Sequence, residues 1–249
     1  MDTLKEQRIE FIFDEVARKL PVKKKDIGVF KKIIDRFDLR EKSILEVGCG
    51  IGDNLIYCAQ QGVLYAEGFD ISGESIKLAK EKAGNRKNIF FHKSSIEEYS
   101  TERKFDYILV WGVFEYVQNP LESLKKLIKH LVDQGTIILF ISKPILIKKI
   151  SFLFRIFLSK IPLTLSVNVA KKISNILSIF SNTYKRILYA GESKTYTFEQ
   201  TILEGLMVPR YNLINPLKFS EYLQSRGFLI DFQDDIAHSM TCIIARKLS

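Results

Sequence analysis

A loop with three glycines at alternate positions is the feature of this sequence with the clearest chemical meaning. The stretch ILEVGCGIGDN, residues 44–54, ends an apolar run in Gly48, Gly50 and Gly52, and a helical pattern follows at once. Glycine is needed where a strand turns sharply into a helix and where a ligand must lie against bare backbone. The N-terminus of that helix would offer free N–H groups to polar or anionic ligand atoms. The loop alone leaves two interpretations open, a ligand cradle or a turn that only permits tight packing.

Two carboxylates near the loop indicate which ligand it would suit. Asp70 ends the next apolar run, twenty residues beyond Gly50, where a carboxylate can accept hydrogen bonds from both hydroxyls of a ribose. Its alternative role is to cap the following helix, which the Ser72 hydroxyl could do equally well. A dinucleotide-binding G-x-G-x-x-G loop would need glycine where this chain has Asp53, and Glu46 would repel a pyrophosphate. The pattern therefore favours a nucleoside that carries a positively charged amino-acid moiety.

Apolar runs that alternate with amphipathic stretches must position these residues. The strand-like runs lie at 43–47, 64–69, 88–91, 105–110, 135–141, 228–232 and 241–245. The helical patterns lie at 3–20, 27–37, 53–61, 73–84, 120–132 and 216–226. Nearly continuous apolar strands flanked by helices indicate a parallel sheet covered on both faces, and the last two runs are close enough to pair antiparallel. We therefore predict a doubly wound α/β fold with an insertion before its last helix and hairpin.

Five motifs together resemble those of the class I S-adenosylmethionine-dependent methyltransferases. They are ILEVGCGIGDN, GFDIS, FHKSSIEEY, FDYILVWGVFEYV and LVDQGTIILF. The resemblance covers residues 40–142 and, less specifically, 216–247. It implies a Rossmann-like, mostly parallel seven-stranded sheet with an antiparallel last strand and a helical insertion after strand 5. It also implies S-adenosyl-L-methionine as the cofactor, with the loop residues lining its methionine and ribose portions: Gly48, Cys49, Gly50 and Gly52.

The same resemblance assigns the remaining cofactor-binding residues. Glu46 looks like the acidic residue that supports the ammonium group, Asp70 like the ribose ligand, and Ile71 like the residue that packs against adenine. Ser95, followed by Ile96, stands where the family commonly has an Asp on the adenine amino group, so charge assistance is lost there. Relatives hold the ammonium group through the backbone at the position of Trp111, which Gly112 follows. Trp111 is equally well explained as a core aromatic residue.

Catalysis of methyl transfer makes few demands on side chains. Displacement at a sulfonium needs proximity, alignment and a dry pocket, and a base is needed only when the acceptor must lose a proton. Many relatives have a Glu-His pair where this chain has Glu115 and Tyr116, so Glu115 is our candidate for a catalytic proton acceptor. We expect structural or solvated roles for His92, His130 and His238. No metal site is expected, since the three cysteines are too scattered to bind zinc.

The net charge of +9 is concentrated in one segment. Residues 134–191 contain nine Lys or Arg residues and no Asp or Glu, which leaves the rest of the chain neutral. Two stretches of this segment, 145–161 and 167–182, read as amphipathic helices. In the second, the expected apolar face is Val169, Ala170, Ile173, Ile176, Leu177 and Phe180, and the polar face is Asn168, Lys171, Lys172, Asn175 and Ser178.

Two uses of this segment stay open. It can cap the active-site cleft, with both apolar stripes buried, or residues 145–182 can contact an anionic membrane surface. The composition argues against a nucleic-acid partner, because the basic residues lie among bulky aliphatic ones and few aromatic residues are placed for base stacking. Tyr189, Tyr196, Tyr211 and Arg210 lie in the right region to touch an acceptor.

The expected organisation has three parts. Residues 1–40 form N-terminal helices that cover the cofactor, residues 41–143 and 216–249 form the cofactor-binding core, and residues 144–215 form the insertion. The N-terminus does not resemble a secretory signal and three distant cysteines suit a reducing compartment, so we expect a cytoplasmic protein with peripheral membrane contact as an option.

The expected function is methyl transfer to oxygen or nitrogen of a small or lipid-linked metabolite by in-line displacement. Three alternatives stay open: a non-catalytic S-adenosylmethionine-binding scaffold at a membrane surface, an RNA methyltransferase and, more remotely, a dinucleotide-dependent reductase.

Overall fold

The computed structural model describes most of the chain, with gaps in the N-terminal region, the insertion and the last hairpin. The described residues are 2–19, 27–143, 155–156, 158, 160–177, 198–237 and 240–249. Most of the predicted amphipathic stretch 145–161, the side chain of Leu177, residues Ser178 and Phe180, and also Tyr189, Tyr196 and His238 lie outside them.

Seven strands form one mixed sheet. They are β1 (Ser43–Val47), β2 (Tyr65–Asp70), β3 (Ile89–Lys93), β4 (Phe105–Trp111), β5 (Leu131–Ser142), β6 (Phe228–Ala237) and β7 (Met240–Lys247). Their order is β3-β2-β1-β4-β5-β7-β6. The first five strands pair in parallel, and β7 is antiparallel to both β5 and β6. The predicted fold, a doubly wound and mostly parallel sheet with an antiparallel last strand, is confirmed.

Helices precede, separate and follow the strands. They are α1 (Asp2–Arg18), α2 (Gly28–Ile34), α3 (Asp53–Gln60), α4 (Gly73–Ala83), α5 (Pro120–Ile128), α6 (Leu163–Leu177), α7 (Phe198–Ile202), a π-helical turn (Leu203–Met207) and α8 (Pro216–Ser225). The helix predicted at 120–132 ends earlier, at Ile128, because Leu131 already pairs with Phe105 as the first residue of β5.

Each face of the sheet is covered by its own helices. On one face α2, α3 and α4 pack over an apolar cluster that includes Ile44, Leu55 and Ile76. On the other face α5 and α8 pack over a cluster that includes Leu45 and Leu124. Because successive residues of β1 point to opposite faces and both faces are buried, this strand needs apolar side chains at consecutive positions. This explains the continuous apolar runs of the sequence.

A third apolar cluster joins α1 to the described part of the insertion. It contains Ile12 of α1, Ala170 of α6 and Met207 of the π-helical turn. The buried guanidinium of Arg8 strengthens this contact, because its Nη2 donates a hydrogen bond to Ser166 Oγ at 3.0 Å. We call α1, α6, α7 and the π-helical turn together the cap.

Helix α6 has the two faces that the sequence predicts, with one exception. Ala170 is buried and Ile173 is partly buried, whereas Lys171 and Lys172 are exposed. Ile176, predicted on the apolar face, is 65% exposed, whereas Ile173, one turn earlier, packs against the third cluster. Within the described ranges, no helix has the length and apolarity needed to cross a bilayer.

Asp106 ties the start of β4 to the start of β1. Its Oδ2 accepts hydrogen bonds from the Ser43 N–H at 2.8 Å and the Ser43 hydroxyl at 2.7 Å, and Lys42 Nζ lies 3.3 Å from Oδ1. Burial alone would raise the pKa of Asp106, but these donors outweigh burial and hold the pKa below its ordinary value.

We predict that Asp106→Asn destabilises the fold at neutral pH. A lowered folded-state pKa gives stability that is present above about pH 4 and is lost as the pH falls through the lowered pKa. Urea unfolding at pH 7 should show a free energy of unfolding about 1.5 kcal/mol lower than wild type, with a flatter decline in acid. The control Asp133→Asn removes an exposed carboxylate paired with Lys247 and should change little. An equal loss in both variants would contradict this account.

Candidate functional site

The carboxyl ends of β1, β2 and β4 meet at one edge of the sheet. The strand order reverses between β1 and β4, so the connections that leave these two strands diverge and open a crevice. The glycine loop follows β1, Asp70 ends β2, and Gly112 follows β4. The fold therefore brings the predicted site residues to the place where doubly wound sheets bind ligands.

The glycines of the loop have different surroundings, some tightly packed and some open. Gly48 N and Cys49 N both donate to Phe69 O, at 2.9 and 3.0 Å, which fixes the loop to the end of β2. Gly48 has φ +66°, and a Cβ there would lie 2.3 Å from Val113 Cγ2. Gly50 has φ +52°, and a Cβ there would meet no atom within 4 Å. Gly48 therefore permits a tight turn, and Gly50 borders open space. The loop's role as a ligand cradle stays a prediction.

Asp70 faces the loop directly. Its Oδ2 accepts a hydrogen bond from Gly50 N at 2.9 Å, and its Oδ1 accepts one from Ser72 N at 2.8 Å. Burial raises the pKa of Asp70, and these two N–H donors oppose that effect. Ser72 itself caps α4, because its Oγ accepts from Ser75 N at 3.0 Å. The capping role therefore belongs to Ser72, which leaves the Asp70 carboxylate directed at the loop.

Glu46 lies beneath the loop and is 2% exposed. Its Oε1 accepts a hydrogen bond from Asn54 Nδ2 at 2.9 Å, so the first turn of α3 holds the carboxylate. Sequence reasoning did not single out Asn54, although it belongs to the loop motif. Burial, and then the charges of Asp70 and Glu46, raise the pKa of the Cys49 thiol well above its ordinary value. Cys49 therefore stays a neutral thiol, which does not suit it as a nucleophile.

Trp111 at the end of β4 is packed, whereas Gly112, the next residue, borders open space. The ring of Trp111 stacks on Phe140 with centroids 4.1 Å apart and packs against the core face that α2 covers. This contact is consistent with the core interpretation of Trp111, and its place beside the cofactor stays a prediction. Gly112 N donates to Phe140 O at 2.9 Å, and a Cβ at Gly112 would meet no atom within 4 Å.

The predicted adenine-side residues lie beside the end of β2. Ser94 N donates to Asp70 O at 3.0 Å, so Ser95 is one residue beyond a contact with Asp70. The Ser95 hydroxyl accepts from Glu98 N at 3.1 Å and donates to the Glu98 carboxylate at 3.0 Å, so it caps a helical turn. Ile96 is buried in the core, and Ile71 is half-buried against the cap. Their contacts with adenine stay a prediction.

Glu115, the predicted proton acceptor, is 1% exposed and joins three segments. Its Oε1 accepts from Ser142 N at the end of β5 at 2.6 Å, and its carbonyl accepts from Asn212 N at 2.6 Å. Tyr116 donates its phenol to Glu204 Oε1 at 2.9 Å. Burial, and then the Glu204 charge, raise the pKa of Tyr116 well above its ordinary value, so this phenol stays protonated.

Two residues of this region escaped sequence reasoning. Glu204 lies in the π-helical turn, a type of element that is frequent at functional sites. Asn212 donates from Nδ2 to Phe114 O at 3.0 Å and to Val117 O at 2.7 Å, which fixes the turn after β4. Both are about ninety residues from their partners, and no local pattern marks either one.

The described histidines have the structural or solvated positions that were expected. His92 is exposed on β3, with Nε2 3.7 Å from Glu67 Oε1. Burial, and then Lys104 and Lys126, lower the pKa of His130, which favours its neutral form. In the part of the chain that the structure describes, no group of three His, Cys, Asp or Glu side chains is arranged to hold a metal ion.

Known proteins resemble this chain in sequence and in fold. The sequence profile of the methyltransferase-domain family matches residues 4–144, more than half of the chain. Malonyl-acyl-carrier-protein O-methyltransferase 2 of Ilyobacter polytropus is 33% identical over 104 residues, which cover 39% of this chain and 38% of that protein. Phosphoethanolamine N-methyltransferase of Plasmodium falciparum is 27% identical over 134 residues, 52% of this chain and 49% of that protein. The chain thus spans less than half the length of these relatives.

The structural likeness extends over more of the chain. The crystal structure of an S-adenosylmethionine-dependent methyltransferase from Mesorhizobium loti superposes with a TM-score of 0.57. The match covers 89% of this chain and 99% of that one, at 14% sequence identity. At this identity the likeness shows the shared fold alone.

We predict that two alanine substitutions in the loop separate its two properties. Gly48→Ala should lower the free energy of unfolding by about 2–4 kcal/mol, since left-handed strain adds to the clash with Val113. Gly50→Ala should lower it by only about 1–2 kcal/mol, because strain acts there without a clash. Urea unfolding measures both values. If Gly50→Ala proved as destabilising as Gly48→Ala, the space beside Gly50 would not be open.

Proposed function

Because this chain belongs to the methyltransferase-domain family, among the class I S-adenosylmethionine-dependent methyltransferases, we propose that it methylates oxygen or nitrogen of a small or lipid-linked metabolite. The methyl donor would be S-adenosyl-L-methionine. The observation that carries this proposal is the pairing of Asp70 with Gly50 N at 2.9 Å beside open space.

The charges of the site suit this cofactor. Its carboxylates, Asp70 and Glu46, suit ribose hydroxyls and a cationic amino-acid end, whereas a pyrophosphate would be repelled. The loop stretch 44–54 contains no Lys or Arg to offset that repulsion. When bound, S-adenosyl-L-methionine supplies a methyl group on a positively charged sulfur.

The chain's own residues would then bind and orient. Asp70 would accept hydrogen bonds from the ribose, Glu46, held by Asn54, would support the ammonium end, and the backbone at Trp111 would face it. On the adenine side the residues would be Ile71, Ser95 and Ile96. The cap, whose apolar cluster packs against Ile71 beside Asp70, would exclude water from the crevice, as a displacement at a cationic centre requires.

The acceptor decides whether Glu115 has a chemical role. A hydroxyl acceptor must lose its proton as it attacks, whereas a neutral amine can lose it afterwards. In this proposal the Glu115 carboxylate takes the proton of an oxygen acceptor, while its contact with Ser142 N keeps it in place. The relatives' names include an O-methyltransferase and an N-methyltransferase, which supports either acceptor atom.

The proposed location is the cytoplasm, with contact to an anionic membrane surface through α6. Lys171 and Lys172 are exposed there, together with Leu165 (51%) and Ile176 (65%). Exposed aliphatic side chains beside lysines suit the headgroup region of an anionic bilayer. A lipid-linked acceptor would then reach the cap from the membrane.

We predict that Asp70 determines cofactor affinity. Calorimetric titration with S-adenosylhomocysteine should show binding to the wild type and binding at least about tenfold weaker to Asp70→Asn, which loses charge-assisted hydrogen bonds. Asp133→Asn, an exposed carboxylate, should bind like the wild type. Transfer of the tritiated methyl group of S-adenosylmethionine to molecules of a cell extract should be slower with Asp70→Asn than with the wild type or Asp133→Asn. Binding of S-adenosylhomocysteine without methyl transfer into any extract would favour the non-catalytic scaffold. Absence of binding would reject S-adenosylmethionine as the cofactor.

We predict that vesicle binding depends on α6. Lys171→Glu/Lys172→Glu should sediment less with phosphatidylglycerol vesicles than the wild type, because each basic residue near the surface contributes about 1 kcal/mol. The control is Lys77→Glu/Lys80→Glu on α4, which makes the same charge change at two exposed lysines. Equal losses in both variants, or no sedimentation of the wild type at low salt, would discard membrane contact.

A further inference from the structure

Helix α1 turns a row of charged side chains toward the cofactor side of the core. Glu10, Asp14 and Arg18 are four residues apart, so they lie along one face of the helix. Glu10 pairs with Lys93 at the end of β3, and Arg18 pairs with Glu74 in the first turn of α4. Asp14, between them on the helix, contacts the turn that follows Asp70.

Asp14 connects to Asp70 through a single residue. Its Oδ1 accepts hydrogen bonds from Ser72 Oγ at 2.7 Å and from Glu74 N at 3.1 Å. The backbone N–H of the same Ser72 donates to Asp70 Oδ1 at 2.8 Å. Ser72 is fully buried, so this turn has little freedom to reorient while Asp14 is in place. The conformation that directs an N–H at Asp70 is therefore held from α1.

The opposite side of α1 packs against the other elements of the cap. Ile9, Ile12 and Val16 pack into the apolar cluster that the cap shares, and Gln200 of α7 donates from Nε2 to Val16 O at 2.9 Å. Ile71, the residue between Asp70 and Ser72, packs against the same cluster. One helix thus contacts both the turn after Asp70 and the other elements of the cap.

We propose that Asp14 is a positioning residue of the cofactor site, which acts through Ser72 on Asp70 and couples the docking of α1 to retention of the cofactor. The inference rests on the proposed function, because it needs Asp70 to hold the ribose. With α1 docked, the Ser72 N–H and the Gly50 N–H fix the carboxylate in one orientation. With α1 undocked, the turn loosens and the cap no longer closes the crevice, so the cofactor leaves faster.

The first experiment measures S-adenosylhomocysteine affinity by calorimetry and its dissociation rate by stopped-flow displacement, both on the full chain. Asp14→Ala should bind about tenfold more weakly, mainly through faster dissociation. Asp14→Asn keeps an acceptor oxygen and should fall between Asp14→Ala and the wild type. The matched control is Glu15→Ala, because Glu15 is the next residue and pairs with Arg18 inside α1. It should bind within about twofold of the wild type.

A double-mutant cycle separates positioning from a general effect on the fold. If Asp14 acts through Asp70, Asp14→Ala should weaken binding far less in an Asp70→Asn background than in the wild type. Full additivity would overturn the inference, as would unchanged dissociation in a folded Asp14→Ala. If Asp14→Ala fails to fold, Asp14→Asn carries the same cycle. Failure of the wild type to bind would instead overturn the proposed function, and the inference with it.

Discussion

The orientation of one carboxylate at the end of β2 is the constraint on which the site depends. The Asp70 carboxylate is partly buried, and the free-energy cost of removing it from water must be offset by hydrogen bonds. Two backbone N–H groups meet that requirement, one from Gly50 and one from Ser72. The Gly50 N–H reaches Asp70 from a loop whose glycines have positive φ. The Ser72 N–H reaches it because Ser72, two residues after Asp70, is the N-cap of α4. The loop, the strand end and the helix start therefore fix one another.

The surrounding structure reinforces this constraint from both sides. Glu46 is held by Asn54 below the loop, and Asp14 holds the turn above Asp70. The other cap elements, α6, α7 and the π-helical turn, pack on α1, so the proposed cofactor site and the cap share one helix. A methyl-transfer site needs both an aligned cofactor and a cover, because the rate of methyl transfer depends on alignment and exclusion of water more than on any acid or base.

The sequence was sufficient for the core and insufficient for the cap. β1 was predicted with its observed bounds, because a strand buried on both faces is a continuous apolar run with a glycine loop at its end. The end of α5 was predicted too late, because the helical periodicity continues to residue 132. The helix ends earlier since Leu131 pairs with Phe105 in the sheet. Asp14 and Glu204 escaped because their partners are distant in sequence. The Ser95–Glu98 capping box has the local S-x-x-E pattern, but Ser95 was assigned to the adenine side from the sequence and the cap was not identified.

A crystal structure of the protein grown with S-adenosylhomocysteine tests the central claim most directly. The account predicts that both ribose hydroxyls lie within hydrogen-bonding distance of the Asp70 carboxylate, with the ligand passing over Gly50 in the space that is open beside it. A ligand bound elsewhere, with Asp70 still engaged only by the backbone N–H groups of Gly50 and Ser72, would contradict the account.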